Sequence, residues 1–143
     1  MTAIADLWAR EQLPIRDGLY LADGRAYDFA VDAAAPSGGR VGARFDLGVQ
    51  LESSPENVTN VLTTARSPLP DGGFLCVGEG SWGSEGFFGR LAADGGIVWL
   101  VYLECANPFT EIEVGCSQAV FRSTSGVRIS VAPDAAPFGV EDA

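Results

Sequence analysis

Ile97-Val98-Trp99-Leu100-Val101-Tyr102-Leu103 is the longest apolar run in the chain. Its seven residues fall far short of the roughly 20 needed to cross a bilayer as a helix. Apolar on both faces, the run reads as the core of a central strand, Ile97–Cys105, covered from above and below. Successive side chains of a strand point to opposite faces, so Trp99 and Val101 belong to one layer and Leu100 and Tyr102 to the other.

Working outward from this strand, turn residues and period-2 patterns supply its neighbours. Gly18 to Val31 reads as a hairpin turned at Asp23-Gly24, with Tyr27, Phe29 and Val31 alternating against Ala26, Asp28 and Ala30. Ala33 to Gly39 is a loop. Arg40 to Leu51 alternates over its whole length, with Val41, Ala43, Phe45, Leu47, Val49 and Leu51 on one face, and is expected as one strand. Phe74–Glu79, Glu85–Ala92, Glu111–Arg122 and Val127–Ala132 complete the set, separated by Gly-rich, Asp-Gly-Gly, Asn-Pro and Ser-Thr-Ser-Gly turns.

Two helices are expected. Thr2 to Gln12 places Ile4, Leu7, Trp8 and Glu11 on one stripe and is stopped by Pro14. The second helix is placed near 55–66. Ser54-Pro55-Glu56 is a helix-start signature, and Val58, Val61, Leu62 and Ala65 recur at helical spacing before Pro68. The order predicts an α+β fold, a single domain over 1–132 with a mainly antiparallel sheet of about eight strands. Residues 133–143 are expected to be an acidic, fraying tail.

Composition narrows the function by exclusion. The formal net charge is −10, and all nine basic residues are arginine, with no lysine and no histidine. Such a balance argues against a nucleic-acid binder, which needs a basic face. Without histidine there is no Ser-His-Asp triad and the commonest metal ligand is missing, so neither cofactor nor metal is expected. The amino terminus lacks the features of a signal peptide, and the odd set Cys76, Cys105 and Cys116 contains no C-x-x-C pair. The three cysteines are accordingly expected to be reduced and buried in a cytoplasmic protein without a membrane anchor.

The most unusual segment is Gly78 to Gly89. Gly78, Gly80 and Gly83 match G-x-G-x-x-G, with Glu104 at a strand end downstream. A dinucleotide site needs a helix immediately afterwards, but Gly86 and Gly89 would lie inside it at about 1 kcal/mol each. The segment reads instead as a glycine-rich turn joining two strands. Trp82 and Phe88 are its candidate anchors, and Phe87 or Phe88 is expected to alternate into the core. Glu79, Glu85 and Glu104 could gather at neighbouring strand ends.

Three function classes fit these features. The first is a small acidic protein-binding module that blocks a basic partner, such as a toxin enzyme, through Trp82, Phe88, Glu79, Glu85 and Glu104. In general style the chain is similar to small acidic immunity proteins of bacterial toxin systems, although no motif carries that likeness. The second is an enzyme or ligand-binding domain using Glu79, Glu85 and Glu104 in a sheet cavity. The third is an acidic mimic of nucleic acid.

Overall fold

In a computed structural model that describes residues 2–140, the run Ile97–Leu103 is a strand with neighbours on both edges, and only Val98 of its seven residues is exposed. The elements in chain order are α1 (Ala3–Ala9), β1 (Gln12–Pro14), β2 (Gly18–Leu21), β3 (Ala26–Val31), β4 (Gly39–Phe45), α2 (Leu47–Ser53) and β5 (Val58–Pro68). They continue with β6 (Phe74–Gly80), β7 (Gly86–Leu91), β8 (Ile97–Leu103), β9 (Phe109–Val114), β10 (Ala119–Ser123) and β11 (Arg128–Val131). The fold is α+β, built on an eight-stranded antiparallel sheet ordered β1-β5-β6-β7-β8-β2-β3-β4. A second sheet, β11-β10-β9, adds three strands.

The two faces of β8 define the layers. Trp99, Val101 and Leu103 join Phe88, Leu75 and Val77 in a core closed by Phe109, Phe121, Ile129 and Val131 of the small sheet. Leu100 and Tyr102 join Phe87, Cys76 and Tyr20 in a second core, which Ile4 of α1 and Leu47 of α2 cover. Burying both faces of one strand removes far more apolar surface from water than a half-exposed sheet would, which is why this run sits at the centre.

A common turn closes four of the hairpins. At Gly24 the residue before the turn, Leu21, accepts from Gly24 N–H and donates to Arg25 C=O, with Gly24 in the left-handed region (φ 99°). The same pattern recurs at Gly72, Gly95 and Gly126. A Cβ is costly in that conformation, so the glycines mark where the chain reverses.

Several expected elements move. The strand expected over Arg40–Leu51 ends at Phe45, because Asp46 caps α2 by accepting from Val49 N–H at 3.1 Å. Leu47, Gln50 and Leu51 then share the inward side, and Val49 is left exposed. Alternation and helical spacing coincide at Leu47 and Leu51, and the cap decides between them. The helix expected near 55–66 is instead strand β5: Val58, Thr59, Val61, Thr63 and Thr64 are branched at Cβ and favour extended backbone. Leu62, which the helical reading placed inside, is 58% exposed.

The first helix is shorter than Thr2–Gln12. Thr2 caps it, accepting from Ala5 N–H, and Glu11 leaves it in the left-handed region (φ 56°) before β1 begins. Glu111–Arg122 is a hairpin rather than one strand, turning through Gly115–Gln118. In the segment expected to fray, Pro137–Gly139 forms a 3-10 turn, and the Phe138 ring packs 4.9 Å from Phe29 and 6.2 Å from Trp99. Residues 141–143 of that expectation lie outside the described ones. No helix among the described residues is long and apolar enough to cross a membrane.

Candidate functional site

The segment Gly78–Gly89 is a hairpin, with β6 and β7 in unbroken antiparallel register from Phe74↔Leu91 to Glu79↔Gly86. No helix follows the glycines, so the turn reading of G-x-G-x-x-G holds and the nucleotide reading has no place to put a pyrophosphate. The first two glycines have a packing role. A Cβ on Gly78 would lie 2.5 Å from the Phe87 ring, and one on Gly80 would lie 2.3 Å from Glu85 Oε1. Both leave room for side chains of β7 and its approach to cross the sheet.

Glu85 holds the turn together. Its side chain is on the helix-covered face and only 2% of the residue is exposed. Oε1 accepts from Trp82 N–H at 2.9 Å and from the Thr59 hydroxyl at 3.0 Å, and Oε2 accepts from the Tyr102 hydroxyl. Burial, together with the hydrogen bond to this carboxylate, pushes the Tyr102 hydroxyl well above the ordinary phenol range, so it stays a neutral donor. Further bonds fix the same loop from outside. Ser81 Oγ donates to Asn60 C=O at 3.1 Å, Ser81 N–H to Thr59 Oγ1 at 3.3 Å, and Asn107 N–H to Ser84 C=O at 2.9 Å.

Trp82 stands on this pinned loop with 68% of its surface exposed, the most of any large apolar residue described. An indole held out on an ordered backbone is the form a pocket-filling anchor takes. At the same end of the sheet lie Glu104, directly after β8, and Asp17, directly before β2. Asp17 Oδ1 accepts from Glu104 N–H at 2.7 Å, and partial burial raises the Asp17 carboxyl above its usual range against the pull of that bond. Glu104 is exposed and Glu79 partly so.

Of the five residues singled out as partner-facing, then, Trp82, Glu79 and Glu104 reach solvent at one end of the sheet. Phe88 does not. It is fully buried at the centre of the sandwich, stacked on Phe121 at 4.7 Å and tilted against Phe109 at 4.9 Å. Glu85 is not a rim carboxylate either, because the donors of Thr59, Tyr102 and the Trp82 backbone draw it inward.

The three glutamates also fail to converge. By strand alternation Glu79 shares the face of Leu75 and Val77, whereas Glu85 shares that of Phe87, so the sheet separates them. A groove of about 610 Å³ lies elsewhere, between Trp8 of α1, Val61 and Arg66 of β5 and the turn at Asp94-Gly95-Gly96, and none of the three glutamates lines it. No group of three His, Cys, Asp or Glu placed to hold a metal ion occurs among the described residues.

Thr59 and Tyr102 were not identifiable as partners of Glu85 from spacing, since they come from strands 26 and 17 residues away. Cys76 is buried as expected, but Cys105 and Cys116 are exposed because each falls in a turn rather than within a strand. No protein-family model matches this chain, and no curated protein or solved structure matches it either.

Proposed function

We propose that this chain is a protein-binding module of the inhibitor or immunity type, acting on a basic protein partner through the end of the sheet that carries Trp82. The observation that supports this most is the pairing of a two-thirds exposed tryptophan with a loop already fixed by a buried carboxylate. Ordering costs are met before the partner arrives, so the indole can contribute most of its burial to affinity. Glu79, Glu104 and Asp17 would surround the anchor with negative charge, and residues 71–143 hold ten acids against three arginines. That field favours rapid encounter with a basic surface at low salt.

The test is to recover the partner on immobilised protein and measure binding rates for variants. Trp82→Ala should cost at least about 2 kcal/mol, roughly a thirtyfold loss of affinity, mainly through faster dissociation. Glu79→Gln with Glu104→Gln should slow association, with the difference shrinking in high salt. A folded Trp82→Ala protein that binds like wild type would place the anchor elsewhere and overturn the assignment.

A further inference from the structure

We infer that the outer edge of β9 is a docking site for an extended segment of another protein in which basic and apolar residues alternate. This edge shares no residue with the surface around Trp82.

The two sheets are joined asymmetrically. On one side the sandwich is closed: Ser130 N–H of β11 donates to Ser37 C=O at 2.8 Å, so the loop leading into β4 covers the edge of the small sheet. On the other side β9 ends the small sheet, and no strand among the described residues pairs with its outer edge. Facing it, β5 is paired on its outer side by β1 only over Val58–Asn60. Between the two strands runs a cleft of about 470 Å³, lined by Ala65 and Arg66 of β5, by Glu111, Ile112 and Glu113 of β9 and by Arg122 of β10, among others.

The register of β9 on β10 states what would fit there. Ile112 lies opposite Phe121 and Val114 opposite Ala119, so both point inward, toward the core shared by the sheets. Yet Val114 is 49% exposed, because no neighbouring strand continues that apolar layer. Glu111 lies opposite Arg122 and Glu113 opposite Val120, so both carboxylates are on the outer face. Arg122 pairs with Glu113 at 2.7 Å, and Glu111 has no ion pair among the described residues. On the far wall, the Arg66 guanidinium lies over the Phe74 ring, 5.6 Å from its centroid.

An added strand would therefore meet carboxylates on alternate positions of one face and open apolar surface on the other. Basic side chains opposite Glu111 and Glu113, with apolar ones between them, satisfy both faces. The same charges disfavour a second copy of this chain, since acids brought together across two β9 edges repel.

The experiment uses the full chain and a capped hexapeptide of alternating lysine and valine. Hydrogen exchange read residue by residue should slow at β9 amides in 110–114 as the peptide saturates. Alternating glutamate and valine, or the lysine peptide N-methylated at every residue, should leave those amides unchanged. Glu111→Lys, at an exposed position, should keep the circular dichroism of the wild type and weaken peptide binding by about tenfold or more. The inference is overturned if exchange at β9 does not slow, or if the N-methylated peptide binds equally well, which would mean charge alone. It is equally overturned if protection falls on β5 instead, or if wild-type β9 amides become protected with rising protein concentration and sedimentation shows a dimer.

Discussion

Replacing Glu85 by alanine should destabilise the protein by about 2–5 kcal/mol, while replacing it by glutamine should cost about 1 kcal/mol or less. Alanine leaves the buried Tyr102 hydroxyl and the partly buried Trp82 N–H without the acceptor they have in the native protein, and weakens a third donor at Thr59. Each orphaned donor costs about 1–3 kcal/mol. Against this, alanine removes a carboxylate held away from water, and that relief offsets part of the loss. Glutamine keeps an amide oxygen for Trp82 N–H and Thr59, and its NH2 can donate to a Tyr102 hydroxyl rotated to accept. Urea unfolding followed by circular dichroism measures both, and the alanine variant should melt about 6–15 °C below wild type for a chain of this size. If alanine lies within about 1 kcal/mol of wild type, the network does not hold the turn. If glutamine is as damaging as alanine, the negative charge itself is required, and the hydrogen-bond argument is wrong.

Other consequences follow from the layers and caps. Leu100→Ala should cost about 2–5 kcal/mol and Val101→Ala about 1–3 kcal/mol, because each opens a cavity in a different core; a neutral result at either position would mean that its face is uncovered. Asp46→Ala should remove about 1 kcal/mol by uncapping α2, and an unchanged denaturation midpoint would refute that helix start. Burial pushes the Cys76 thiol up to about 12, with only a partial opposing pull from Arg66, so at pH 8 it stays protonated. A thiol reagent should label Cys105 and Cys116 in the folded protein and reach Cys76 only on unfolding, as mass spectrometry would show; rapid native labelling of Cys76 would contradict its placement.

Much of the architecture was legible because it rests on local or strictly periodic signals. Ile97–Leu103 admits no exposed face, so its central position follows from hydrophobicity alone. The reversals at Gly24, Gly95 and Gly126 are each announced by a residue that tolerates left-handed backbone, whereas the one at Gly72 was hidden by the helical reading of the segment before it. The exclusions drawn from nine arginines and no histidine likewise need no coordinates.

Tertiary structure decided whatever depended on competition between comparable local tendencies. Residues 58–65 carry both a helical spacing of Val58, Val61, Leu62 and Ala65 and a run of β-branched side chains. Pairing with β1 on one side and β6 on the other turns the balance toward strand, because each neighbour satisfies backbone groups that an isolated segment would leave to water. The same holds for the site. Trp82 was visible as a tryptophan that its small neighbours could not cover, but Glu85 looked like a rim charge equivalent to Glu79. Its burial arises from Thr59 and Tyr102, brought beside it by β5 and β8, and a carboxylate leaves water only where such donors converge. Composition and periodicity therefore determined which residues prefer the interior, whereas the strand order alone determined which polar groups could follow them there.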